Sequence, residues 1–366
     1  MKANPENERL KRDYLRYLAQ AKGRDEATID RVAKSLARFE DSTRAASFKT
    51  FHREQAVAFK RRLSEQDNAR TGARLSRATV HSALRDLRDF FIWLAMQPGF
   101  RSRIAYSDAD YFNLPDKEIA IARARREKPT PTLAQAERAL AAMLADTPIA
   151  RRDRAVFALC MITAARVAAL VSLRLKHVNL AEGFIDQDAR EVRTKFAKTF
   201  ATYFMPVSAT AEAVFRDWVA ELQADPMRGP DSPLFPSTLM GLDEDGLFRA
   251  VGLSDACWAS TEPVRAILKR AFERAGLPYF NPHSFRDMLI RHAMALGLTA
   301  EGLKSWSQNL GHDEVLTTLT SYGVVPRHRQ GELIRGAAAA SPPPDPSEIA
   351  KVIALLQRLD PNASGT

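Results

Sequence analysis

Seven apolar side chains between residues 79 and 94 (Val80, Ala83, Leu84, Leu87, Phe90, Phe91 and Leu94) repeat with the period of an α-helix, and Arg85, Asp86, Arg88 and Asp89 fall on the other side. A stripe this continuous can be buried only against other elements, and Pro98-Gly99 stops the run. Three shorter stripes precede it: Leu10, Tyr14 and Leu18; Ile29, Val32, Leu36 and Phe39; then Val57, Phe59 and Leu63. The first third of the chain therefore reads as four amphipathic helices.

Charge separates that third from the rest. Residues 1–128 hold 28 Lys and Arg against 18 Asp and Glu, and residues 129–366 hold 26 against 26, so the net charge of +10 lies in the first part. Such asymmetry fits a polyanion partner, with a basic solvated surface as the alternative. Arg70, Arg74 and Arg77 lie in a Gly- and Ser-containing loop before the long helix, placed to straddle phosphates. Residues 101–131 lose periodicity, and Arg123, Arg125, Arg126 and Lys128 precede Pro129-Thr130-Pro131, reading as a basic linker. The expected divisions are a helical domain at 1–122, a linker at 123–131, a second domain at 132–336, and a tether with an amphipathic end at 337–366. A chain of 366 residues with 45% apolar content can give both domains a core. No run of 18 apolar residues occurs and the first residues are polar, so a cytoplasmic protein without a membrane span is expected. Cys160 and Cys257 have no metal-type spacing, and neither a disulfide framework nor a metal site is indicated.

In the second part, Thr132 and Gln135 form a capping box ahead of Leu133, Leu140, Met143 and Leu144. A helix over 150–163 ends in Ala164-Ala165-Arg166, and a further helix should carry Leu170, Val171, Leu173 and Leu175. Strand-like runs at 183–186, 191–195 and 202–207 predict a small antiparallel sheet whose loop holds Lys195 and Lys198. Residues 225–260, rich in Pro, Gly, Asp and Ser, read as an irregular connection before a helix starting at Thr261. The fold class is mainly α with a small antiparallel β-sheet.

Residues 281–322 gather the rarest chemistry. His283 and Arg286 are three apart on a segment where Phe285, Met288, Leu289 and Met294 recur at helical spacing, so they share a face; His312 follows in Leu310-Gly311-His312, and Tyr322 comes ten positions later. A His-x-x-Arg pair alone proves nothing at this composition. The ordered set, however, resembles the catalytic end of the tyrosine recombinases, the phage integrase family, which carry His-x-x-Arg, then Leu-Gly-His, then a nucleophilic Tyr usually nine residues on. Tyr322 is the only Tyr after Tyr279. The family's Thr-Gly-x-Arg-x-x-Glu is met by Thr163 to Ala169, with Arg166 at the first arginine, Ala165 where Gly is usual and Ala169 where Glu is usual. Whatever steadies Arg166 must then come from elsewhere.

The resemblance implies a two-domain architecture, a helical core-binding domain followed by a catalytic domain, acting on double-stranded DNA. It implies Arg166 and Arg286 as donors to the non-bridging oxygens, His283 as base, His312 as a donor to the phosphate, and Tyr322 as nucleophile. Lys195 is preferred as general acid, with Lys198 its competitor. Neither metal nor nucleotide cofactor is implied. Exchange between two duplexes would take a homotetramer. Residues Ile349, Val352, Ile353, Leu356 and Leu359 would dock on a neighbouring subunit, or fold back on their own domain. The leading expectation is a site-specific recombinase or integrase of a mobile element. The alternatives are a type IB topoisomerase-like enzyme and a catalytically silent DNA-binding protein of the same fold.

Overall fold

Short polar side chains start most of the helices by accepting from the unpaired N–H groups of the first turn. In the computed structural model, which describes residues 4–69, 71–124, 129–242 and 245–312, Asn4 caps α1 (Pro5–Gln20) and Asp25 caps α2 (Glu26–Ser42). α3 (Arg53–Glu65) follows, and Ser76 caps α4 (Arg77–Ala95). These four helices belong to the first of two compact units, Met1–Arg126 and Glu127–Thr366. Their apolar stripes meet in an aromatic core. Phe51 stacks on Phe91 with ring centroids 4.0 Å apart, and Phe39 presents its edge to Phe59, Phe91 and Phe112.

Three details differ from the periodicity. On α3 the buried face is Ala56, Phe59 and Leu63, and Val57 is exposed, because the stripe is phased one residue earlier. Asp86, expected on the outer side of α4, is 4% exposed: it accepts from the Arg31 guanidinium and from Ser35 Oγ (2.9 Å) on α2. Residues 101–131 are not wholly irregular. They contain a 3₁₀ segment, Tyr106–Phe112, which buries Ala109 and Phe112, and α5 (Asp116–Arg123). Arg123 thus ends a helix instead of lying in a linker.

The second unit opens with the capping box as expected: the Thr132 hydroxyl accepts from the Gln135 N–H (3.1 Å) and the Gln135 side chain accepts from the Thr132 N–H (2.9 Å), starting α6 (Leu133–Ala141). α7 (Pro148–Thr163) is apolar on every side between Ala155 and Ile162, and becomes the buried centre of the unit. α8 (Val167–Leu170) is a single turn; the expected longer helix stops because the Leu175 and Lys176 N–H groups donate to Ser232 O and Pro230 O instead of to helical carbonyls. β1 (Val178–Asn179), β2 (Phe184–Gln187) and β3 (Phe200–Tyr203) form an antiparallel sheet in that order, with Ile185 opposite Thr202. The run at 191–195 is no strand. Glu191 turns back to Lys176 and His177, and Lys195–Ala197 is a 3₁₀ turn.

After α9 (Ala209–Ala224), the segment expected to be irregular contains the hairpin β4 (Thr238–Leu242) and β5 (Phe248–Leu253). Buried Arg152 on α7 fixes its base, donating to Pro236 O (2.8 Å) and Thr238 Oγ1 (3.1 Å) while lying over the Trp258 ring. α10 (Glu262–Arg274), α11 (Ser284–Ala295) and α12 (Ala300–Asn309) complete the described unit. Residues 313–366, including the amphipathic end, lie outside the described residues.

Removing the buried carboxylate that joins α2 to α4 takes the charged acceptor from the Ser35 hydroxyl and the Arg31 guanidinium, which keep Arg31 O (3.1 Å) and Ser82 Oγ (2.9 Å). Asp86→Ala is expected to lower unfolding free energy by about 1–3 kcal/mol in urea, whereas exposed Asp30→Ala on α2 should stay within about 0.5 kcal/mol.

Candidate active site

α7 ends abruptly. The Thr163 hydroxyl donates to Leu159 O (2.6 Å) and accepts from the Ala165 N–H (3.2 Å), while Ala164 takes φ +45°, in the left-handed region that favours glycine. The strained position is thus Ala164, not Ala165. Counted from Thr163 in Thr-Gly-x-Arg, Ala164 is also the glycine position, and the assignment of the missing glycine to Ala165 is corrected accordingly. This turn reverses the chain and sets Arg166, half-buried, at the start of α8.

Arg286 stands in the first turn of α11 and is 2% exposed. Its Nε donates to Ala164 O (3.1 Å) and its Nη1 to Leu310 O (2.8 Å). One guanidinium thereby fastens the turn that presents Arg166 to the turn that presents His312. The second turn is located independently by the sheet: the Asn309 side chain accepts from the Tyr203 N–H (2.6 Å) and donates to Tyr203 O (2.9 Å), pairing like an added strand residue. Gly311 has φ +71°, which disfavours any side chain, and a Cβ there would come within 2.7 Å of the Phe200 ring on β3, so a larger residue would require that ring to move.

A cavity of about 450 Å³ opens between these elements, with Arg166, Lys195, His283 and Arg286 in its wall. His283 is exposed at the start of α11 and Arg286 is buried one turn on, yet both face this space. His312 is 7% exposed and its pKa is pushed down to about 4, first by burial and then by the charges of Arg286, Arg166, His283 and Lys198. At neutral pH its ring is uncharged and keeps one N–H to donate. The β2–β3 loop brings both lysines to the region: Lys195 lines the cavity, and half-buried Lys198 acts on His312. Tyr322 lies outside the described residues. Arg193 and Thr194, which also line the cavity, were not picked out from the sequence; their place beside Lys195 was the available signal.

In the first unit Arg74 is exposed on a tight turn, bridged to Asp67, and Arg77 pairs with Glu118 of α5 at 3.0 Å. Arg70, Arg125, Arg126 and Lys128 lie outside the described residues.

The His312 shift has a consequence for stability. Its folded pKa lies below the ordinary 6.5, so the unfolded chain takes the proton first. The contribution is full above about pH 6.5 and is lost as pH falls towards about 4. His312→Gln is expected to remove this part of the pH dependence, read as a smaller drop in melting temperature between those limits than in the parent.

The model of the family described as "Phage integrase family" matches residues 132–325, more than half of the chain. Tyrosine recombinase XerC of Xylella fastidiosa (strain 9a5c) is 24% identical over 245 residues, covering 67% of this chain and 69% of the relative. Tyrosine recombinase XerD of Neisseria meningitidis serogroup A / serotype 4A (strain DSM 15465 / Z2491) is 29% identical over 199 residues, or 52% of this chain and 58% of the relative. Among solved structures, a lambda integrase dimer bound to a COC' core site matches with TM-score 0.60 at 13% identity, covering 87% of this chain and 96% of that one. The XerH site-specific recombinase bound to a palindromic difH substrate, a post-cleavage complex, matches with TM-score 0.54 at 18% identity, covering 84% and 79%. At such identities the structures speak for a shared fold. The match over residues 132–325 settles the lineage: this chain belongs to the phage integrase family.

Proposed function

We propose that the protein is a site-specific DNA recombinase, an integrase-type enzyme that cleaves and rejoins double-stranded DNA through a 3′-phosphotyrosine on Tyr322. The observation that carries this reading is the convergence of Arg166, Lys195, His283 and Arg286 on one cavity, beside a His312 held neutral. An anion is the natural occupant of such a space. Attack on a phosphodiester builds charge on its two non-bridging oxygens, and two planar guanidiniums, charged at every working pH, supply fixed donors for them. The neutral His312 donates its remaining N–H to the same phosphate. The Tyr322 oxygen forms a bond to phosphorus, its proton passing to His283, as the bond to the 5′ oxygen breaks. That oxygen takes a proton from Lys195, or from Lys198 on the same loop. Reversal with another 5′ hydroxyl reseals the strand, because the bond energy is kept in the phosphotyrosine.

The arginines of residues 1–128 would grip the backbone on the helical domain, expected at 1–122 and carried by α5 to Arg123, and on the linker that follows it to residue 131. Double-stranded DNA is the partner, as it is for the relatives crystallised on core sites and difH. Four copies would hold two duplexes, with residues 337–366 as the segment that joins neighbours. No helix among the described residues is long and apolar enough to cross a membrane, in keeping with action on DNA in the cytoplasm.

A pool of nicked duplexes with a randomised centre tests this, since a nick lets the broken strand diffuse away and traps the linked protein. The parent should yield an adduct whose phosphate maps by mass spectrometry to Tyr322, and the recovered sequences define its site. Tyr322→Phe should bind that site and give no adduct, and Arg286→Lys should slow capture by about 10²–10³-fold. An adduct on another residue, or none from the parent, would sink the reading. Joining of two marked sites separates recombination from relaxation alone.

A further inference from the structure

One phosphate offers two non-bridging oxygens, and in the proposed site Arg166 and Arg286 serve both. The same cavity is nevertheless walled by a third guanidinium, Arg193, and by its neighbour Thr194. That wall is firmly built. The Arg193 N–H donates to Ser172 Oγ (2.9 Å), Val192 beside it is 2% exposed, and Glu191 is tied to Lys176 and to His177 Nε2 (2.9 Å). The Arg193 side chain is exposed, its Nη1 no nearer than 3.4 Å to Ala259 O, at the limit of a hydrogen bond. Thr194 Oγ1 is buried and has no hydrogen-bond partner. Buried hydroxyls nearly always have one, and an orphan at the wall of an anion-binding cavity calls for an explanation.

We propose that Arg193 and Thr194 form a second phosphate site, which takes the backbone phosphate next to the scissile one on the cleaved strand. This rests on the reading of the cavity given above. Arg193 supplies the charge, and Thr194 turns about its Cα–Cβ bond to donate its hydroxyl when the phosphate arrives. The pair holds two consecutive linkages in register, so that the attacked phosphorus cannot slide by one nucleotide along the strand. Both are binding residues, with no proton to move in the reaction.

The test uses the full chain and the duplex recovered from the nicked pool. Equilibrium binding and covalent capture are measured for the parent, Arg193→Ala and Thr194→Val, on all-phosphate DNA and on duplexes with one neutral methylphosphonate at either phosphate flanking the scissile one. Arg193→Ala should weaken binding about tenfold and make the slope of log K against log salt shallower by about one. At one flank the methylphosphonate should weaken the parent to a similar degree yet leave Arg193→Ala unaffected, so that the two losses do not multiply. Thr194→Val should weaken binding several-fold while leaving the melting temperature equal or higher, since it removes an unpaired buried hydroxyl. That combination separates a reserved donor from a packing residue. Losses that multiply at both flanks, or an unchanged salt slope, overturn the site, and a Thr194→Val protein that melts lower but binds normally overturns the part given to Thr194. Failure of the parent to form any adduct overturns the cavity's function and this site together, whereas adduct formation without coupling overturns this site alone.

Discussion

Arg286 is the group on which the arrangement of the site depends. Burying a guanidinium is costly unless its N–H groups find acceptors, and here two of them are backbone carbonyls at the ends of two different helices. Helix C-termini carry unpaired carbonyls and the negative end of the helix dipole, so a cation is welcome at both. The same contacts that make Arg286 tolerable therefore draw the turn before Arg166 and the turn before His312 to a common centre. Its charge then acts on what it has gathered: it is the first charge, after burial, in holding His312 neutral. Structural support and electrostatic tuning come from one side chain.

The sheet supplies the second constraint. β3 holds α12 through the reciprocal pairing of Asn309 with Tyr203, and its Phe200 ring lies where a Cβ at 311 would crowd it. The lysine loop leaves β2 and re-enters at β3, so the strand that positions the Leu-Gly-His turn also fixes one end of the loop carrying Lys195 and Lys198. A one-residue slip in the β2–β3 register would move the lysines relative to His312 and turn Phe200 to the other face. Register in these four-residue strands is thus coupled to the geometry of the cavity.

Much of this was legible because helices report themselves locally. The stripe from Val80 to Leu94 and the Thr132–Gln135 capping box each depend on residues a few positions apart, and each stands where its pattern puts it. What escaped depends on partners far along the chain. Asp86 looks like a surface residue until Arg31 and Ser35 arrive on α2, 55 and 51 positions away. The β4–β5 hairpin was hidden by its Gly- and Asp-containing composition, and is held by Arg152, 86 positions before Thr238. The strand expected at 191–195 failed for the same kind of reason: its alternation is real, but Glu191 finds better partners in Lys176 and His177 than a strand neighbour. Arg166, Lys195, His283 and Arg286, singled out because their order and spacing were compared as a set, line one cavity, whereas Arg193 and Thr194 belong to no spacing pattern.

The two alanines that depart from the family pattern now have different weights. Ala164 keeps the left-handed turn at a cost of about 1 kcal/mol relative to glycine. That cost is met locally, because the conformation aims Ala164 O at Arg286 and lets the Thr163 hydroxyl close the helix end from both sides. Ala169 is a larger change. It is 1% exposed and packs into the core of the unit, so a carboxylate at that position has been exchanged for hydrophobic burial. Arg166 stands between the left-handed turn at Ala164 and the single turn of α8. The turn that presents Arg166 is thus fixed from two directions, by the Thr163 hydroxyl at the helix end and by the bond from Arg286 to Ala164 O, so losing the Arg286 side chain would loosen Arg166 as well as remove a donor.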